Sequence, residues 1–143
     1  MQEVCKCAIS ISRVDFSLVS GYRPPYVQMN LFKKGRVLRN GIWRIREKRK
    51  VVTSKDGYKK KSRHNAKPSQ AFDFCGYVEG KPGLAYDEKY LCYLGGLFCS
   101  VGSMLYFSGR IKHQITWGGN WDNDGEIITD QTFQDLCHCQ LKK

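Results

Sequence analysis

Acidic residues are scarce in this chain. Thirteen Asp and Glu stand against 24 Lys and Arg, a net charge of +11 over 143 residues. That balance favours an anionic partner, whether nucleic acid, an anionic membrane or a wall polymer, and charge alone does not choose among them. No helix-turn-helix, finger spacing or aromatic-interleaved sheet accompanies the basic residues, so no specific nucleic acid is expected. Long apolar runs are missing too. The best candidate, Tyr90 to Phe107, is broken by Gly95, Gly96 and Gly102, and no stable membrane insertion is expected. The opening MQEVCKCAIS has no basic region followed by an apolar core, so no signal peptide is expected. The seven cysteines are odd in number and contain no C-x-x-C pair, which argues against a fully paired secreted scaffold and a four-thiolate metal site. The expectation is a chain made in a reducing cytosol, with cysteines serving as small buried hydrophobes.

What is present is globular. Apolar residues make up 41% of the chain and aromatics 13%, too many for a disordered polymer and enough for one domain with its own core. The chain reads as a single domain over residues 1–143, with a basic excursion at about 36–61 that includes REKRK (Arg46 to Lys50). A short helix is predicted over Glu3 to Ile11 and a strand over Val14 to Gly21. RPPYVQMNLFKKG predicts a helix from about Pro25 to Lys34, because proline is tolerated where the first turn has spare N–H groups. The excursion alternates loosely around Ile42 and Ile45 and reads as a hairpin with a turn at Asp56-Gly57. AFDFCGYV alternates as a core strand, and Asp87 to Gly109 carries Leu91, Leu94, Phe98, Val101 and Leu105 on one helical face. IKHQITWGG is a second core strand, and a last strand is expected at Cys137 to Leu141. This order gives an α+β domain.

The sequence has three histidines. Zinc bound by two imidazoles and one carboxylate keeps a fourth position open, and His64, Asp73 and His138 can supply that set. Asp73 lies on a strand between Phe72 and Phe74, where an unpaired carboxylate is costly. Asp135 precedes His138 by three residues; if the chain turns between them, it can act as a general base beside the metal. Spacing leaves a second reading open, in which Asp73 and Asp135 are turn or cap residues and His138 is a satisfied, partly buried histidine. A thiolate site at Cys137, His138 and Cys139 is disfavoured, since neighbours on an extended segment point to opposite faces. WDNDGEIITD offers Asp122, Asp124, Glu126 and Asp130, yet it lacks the opening Asp and the final Glu of an EF-hand loop. It reads as an Asx-rich turn carrying Trp117 and Trp121 near a cleft, with a weak Ca2+ role left open.

Taken together, Ser62-Arg63-His64, Ala71-Phe72-Asp73 and Asp135-Leu136-Cys137-His138 resemble the signature S-x-H, A-x-D, D/E-x-x-H of VanY-like zinc peptidases. These are the phage endolysins of the D-alanyl-D-alanine carboxypeptidase/L-alanyl-D-glutamate endopeptidase type. VSGYRPPYVQMNLFKKGR and ITWGGNWDNDGEIITDQTFQDLCHCQL are similar to that family's early and late segments, so the resemblance runs from about Val14 to the C-terminus. It implies a hedgehog/D,D-peptidase-like fold, a small central antiparallel sheet packed by helices. It also implies one Zn2+ held by His64, Asp73 and His138, with Asp135 as general base and then acid. Arg23 would stabilise the carbonyl oxygen or a terminal carboxylate, and Gln28, Ser62 and Trp117 would line the substrate.

The implied substrate is the bacterial peptidoglycan stem peptide, cut by a monomeric enzyme during phage-mediated lysis. The L-Ala-D-Glu bond is favoured, and terminal D-Ala trimming or non-catalytic binding are the rivals. Such an enzyme would accumulate in the host cytoplasm and reach the wall through a membrane pore. The chain departs from the family pattern in two places. Cys137 and Cys139 flank His138, and the spacer between His64 and Asp73 is longer, which an inserted NAKPS loop can absorb.

Overall fold

The computed structural model describes residues 1–124 and 133–142. They form two compact units, one of Met1–Gly21 with Ala71–Lys143 and one of Tyr22–Gln70.

The first unit is α+β. Its strands β1 (Asp15–Ser20), β4 (Ala71–Tyr77), β5 (Ile115–Gly118) and β6 (Asp135–Leu141) make an antiparallel sheet of order β1-β4-β6-β5. Alternation in β4 buries Phe72, Phe74 and Gly76 and leaves Asp73 and Cys75 partly open, the period-two pattern of a strand with one face in a core. Helices α1 (Gln2–Ile11) and α3 (Glu88–Phe107) pack with that face. Asp87 caps α3 by accepting the Lys89 N–H at 3.0 Å, satisfying one of the open donors of the first turn. The buried stripe of α3 is Leu91, Leu94, Phe98, Val101 and Leu105. Phe98 is central, with Phe16, Phe72 and Phe74 edge-on at 5.0, 5.0 and 4.9 Å.

By length and composition α3 could cross a membrane. Two of its three interior glycines have a packing reason: a Cβ at Gly95 would lie 2.3 Å from the Trp117 ring, and one at Gly102 would lie 2.7 Å from Ile115, whereas Gly96 faces open space. The helix ends at Phe107, two residues before the expected Gly109. Arg110 and Ile111 both donate back to the Leu105 carbonyl, closing the last turn through Gly109 at φ +75°. β5 is shorter than expected, and β6 begins at Asp135, two residues earlier than the predicted Cys137.

The second unit holds α2 (Pro25–Lys33), the hairpin β2 (Arg36–Arg39)–β3 (Ile42–Ile45), and short 3-10 turns at Lys48–Lys50 and Arg63–Asn65. The hairpin turns at Asn40-Gly41, not at Asp56-Gly57. Asn40 and Gly41 have φ of 50° and 76°, the paired left-handed conformation that a tight two-residue hairpin requires. Asp56-Gly57 makes a separate turn, in which the Asp56 carboxylate accepts the Tyr58 and Lys60 N–H groups at 2.8 Å each. Gly57 (φ +84°) passes so close to α2 that a Cβ would lie 2.7 Å from the Pro25 carbonyl oxygen and 2.8 Å from Gln28 Cβ.

Candidate metal and catalytic site

The sequence-predicted site residues fall into two sets, one in each unit. In the first unit, Asp73 and His138 face each other directly. β4 and β6 pair Asp73 with His138, and the two side chains meet at 2.9 Å, His138 Nδ1 to Asp73 Oδ1. The opposite ring nitrogen, Nε2, lies 3.4 Å from Gln140 Oε1, and the Trp121 ring sits 5.5 Å from the imidazole. In the tautomer with the proton on Nε2, facing Gln140 Oε1, the Nδ1 lone pair would be open to a metal. One imidazole nitrogen and one carboxylate oxygen on adjacent strands fit a zinc-type cation by donor chemistry. Gln140 was not singled out from sequence. Its place two residues after His138, on the same face of a strand, was the available signal.

Asp135 and His138 lie on one strand, and a regular strand would send residues three apart to opposite faces. The strand is not regular there. Trp117 pairs with Cys139, but the next residue, Gly118, pairs with Asp135. Leu136, Cys137 and His138 therefore have no counterpart on β5, so simple strand alternation does not apply between Asp135 and His138. Two features hold the bulge. Trp117 Nε1 donates to the Leu136 carbonyl at 2.7 Å, and Gly118 lets the Asp135 carbonyl approach to where a Cβ would be 2.2 Å away.

Trp117 is thus a core residue, only 3% exposed and wedged against Gly95 and Gly119. The expectation that it lines the substrate is corrected, because its ring is spent on packing and its N–H on the bulge. Cys139 is buried in the core and Cys137 packs against it. Burial and the Asp135 carboxylate, 3.4 Å from its sulfur, push the Cys137 thiol up to about 12. Burial is the largest cause of the rise at the Cys139 thiol, which nearby acidic groups and cysteines reinforce. Neither is poised to be a thiolate ligand.

In the second unit, Arg23 and His64 are tied together by backbone. The Arg23 N–H donates to the His64 carbonyl at 2.8 Å, and Asn65 Nδ2 donates to the Arg23 carbonyl at 2.7 Å. The Asn65 side chain also accepts the Ser62 N–H at 2.7 Å, fixing the turn that carries His64. The buried hub is Gln28, 1% exposed. Its Oε1 accepts from Arg23 Nη1 at 3.0 Å and Ser62 Oγ at 3.3 Å, and its Nε2 donates to Thr53 Oγ1 at 3.3 Å and the Lys55 carbonyl at 3.0 Å. An amide has two donors and two acceptor sites, so all four are engaged. Gln28 therefore holds the Arg23 guanidinium, and its buried, fully engaged amide replaces the expectation that it contacts substrate; the half-buried Ser62 donates its hydroxyl to the same amide. Thr53 and Asn65 were missed from sequence; the S-x-x-N spacing of Ser62 and Asn65 was a capping signal in plain view.

Of the acidic loop, Asp122 and Asp124 are exposed, while Glu126 and Asp130 lie outside the described residues.

No family model and no curated protein matches the chain. Among solved structures the chain is similar to the crystal structure of Serratia marcescens L-Ala D-Glu endopeptidase ChiX. The TM-score is 0.59 at 17% identity, covering 99% of this chain and 77% of that one. At this identity the likeness shows the fold, and the expected small antiparallel sheet packed by helices is what the structure has.

Proposed function

We propose that the chain is a zinc-dependent peptidoglycan peptidase that cleaves an amide bond in the stem peptide, with L-Ala-D-Glu favoured, in phage-mediated lysis. The observation that carries this reading is the Asp73–His138 pair, ligand-type groups 2.9 Å apart on paired strands, in a fold similar to that of an L-Ala D-Glu endopeptidase. His64, Asp73 and His138 together offer two imidazoles and a carboxylate, a set that could hold a metal ion. The chain connectivity supports His64 as the third member. Ser20 at the end of β1 pairs with Asp73, and β4, which carries Asp73, begins at Ala71, so both connections to the 22–70 stretch lie within a few residues of that carboxylate along the first unit's strands.

A bound zinc would supply Lewis acidity, drawing charge from the scissile carbonyl and acidifying water. Asp135, on its bulge beside His138, takes the proton from water and returns it to the leaving amine. Arg23 donates to the carbonyl oxygen as negative charge develops, with a guanidinium that stays charged and is aimed by Gln28.

Metal content and loss of peptidoglycan turbidity, measured for wild type, Asp135→Ala and His138→Ala, test the reading. One zinc per chain is expected in wild type and Asp135→Ala, and less in His138→Ala. Lysis should fall by about 10²–10⁴-fold in Asp135→Ala. Absence of zinc from wild type, or lysis that survives Asp135→Ala, overturns it. Internal cleavage products, as opposed to free alanine, identify the bond class.

A further inference from the structure

The positive charge of this protein is concentrated. Residues 33–63 hold fourteen of the 24 Lys and Arg but two of the 13 Asp and Glu, so the remainder of the chain carries no positive excess. The β2–β3 hairpin lies inside this stretch. Its register opposes Val37 to Arg44 and Arg39 to Ile42 on one face, and Arg36 to Ile45 and Leu38 to Trp43 on the other. The second face meets α2, with Trp43 edge-on to Phe32 at 6.3 Å and the Arg36 guanidinium 4.1 Å from the Phe32 ring. On the first, Arg39, Ile42 and Arg44 are exposed. Ile42 is 58% exposed, whereas Leu38 and Ile45, also more than half exposed, belong to the second face.

Aliphatic side chains alternating with arginines on an open ribbon are not a core in waiting. A soluble polyanion would neutralise the cations but gain nothing from the exposed Ile42 beside them. Base stacking needs a free ring, and the hairpin's Trp43 is turned to Phe32 with Lys33 over it at 5.9 Å. An anionic bilayer satisfies both kinds of group, with lipid phosphates for the cations and the headgroup–acyl boundary for the aliphatics. We propose that the β2–β3 hairpin, with the basic turn Lys48–Lys50 that follows it, docks peripherally on an anionic lipid surface. Ile42 enters the interface, and Arg39 and Arg44 on the same face meet the phosphates. Four-residue strands are too short to span the hydrocarbon, which takes about 9–11 residues per strand. This docking goes beyond the peptidase reading and does not depend on it.

The test is co-sedimentation of the full chain with phosphatidylglycerol/phosphatidylcholine vesicles and with phosphatidylcholine alone, over a range of salt. Binding to the anionic vesicles is expected, falling as salt rises. Arg39→Gln with Arg44→Gln should weaken it roughly twenty-fivefold, about fivefold per charge. Ile42→Asn should weaken it about tenfold through lost interfacial burial. All three side chains are exposed, and circular dichroism verifies that the variants fold. Equal or absent binding to the two vesicle types overturns the proposal. Unchanged binding of Ile42→Asn to anionic vesicles also overturns it, because the site is then electrostatic and indifferent to lipid.

Discussion

The unit of Met1–Gly21 and Ala71–Lys143 is organised around Phe72, Phe74, Leu94, Phe98 and Leu105, whereas the only buried residues of Tyr22–Gln70 are Gln28, Gly57 and His64. Their charges differ as sharply. The smaller unit holds sixteen of the 24 Lys and Arg and two of the 13 Asp and Glu, while the larger holds eight and eleven. One unit is held by apolar burial, the other by hydrogen bonds converging on a glutamine and working against like-charge repulsion. Each way of holding suits what it carries. Asp73 and His138 stand on strands locked by a core, so their separation is set by sheet register. Arg23 and His64 stand on irregular backbone, and a saturated amide with an Asn65 clasp supplies the rigidity that strands would otherwise give.

The contrast breaks most severely at Phe98. Phe98→Ala removes the ring on which three others converge and should cost about 3–5 kcal/mol, read as a lower denaturant midpoint for the whole chain. Alkaline pH probes the same core more gently. Burial raises the Cys5 thiol from 9.0 to about 11. Its neutral form is favoured in the folded state, so that stability is fully present below pH 9 and is lost as pH rises through 11. Cys5→Ala should flatten this part of a urea-midpoint series between pH 8 and 11.

In the other unit, Gln28→Ala should cost about 1–3 kcal/mol, since partners buried around the amide are left unsatisfied. The loss should appear as faster hydrogen exchange confined to residues 22–70, with β4 and β6 unchanged; equal acceleration in both would erase the distinction drawn here. Turnover and zinc content should both fall, because the unit that carries Arg23 and His64 loosens while Asp73 and His138 keep their register. The smallest effect belongs to Arg39→Gln with Arg44→Gln, exposed on the hairpin, which should shift stability by less than about 0.5 kcal/mol.

Much of the local structure was legible because its causes are local. Pro24-Pro25 starts α2, Asp87 starts α3, and the spacing of Leu91, Leu94, Phe98, Val101 and Leu105 marks its buried stripe. The hairpin turn was misplaced although Asn40-Gly41 is the stronger signal, because Asp56-Gly57 carries a similar signature and makes a turn of another kind. Trp117, Gln28 and Ser62 show where residue type misleads. Each is polar-tipped or aromatic as a substrate contact would be, and each has its polar atoms consumed within the protein.

By itself, then, the sequence determined where helices and strands begin, which faces are apolar, and that the positive charge crowds into one stretch, because these depend on neighbours within a few turns of chain. Only the tertiary structure decided that Asp73 meets His138 across 65 positions. It also decided that the β5–β6 register skips three residues between Asp135 and Cys139, and that Gln28 is filled by its own partners. Those outcomes depend on strand register and on which groups are already satisfied, and both are set when distant segments pair.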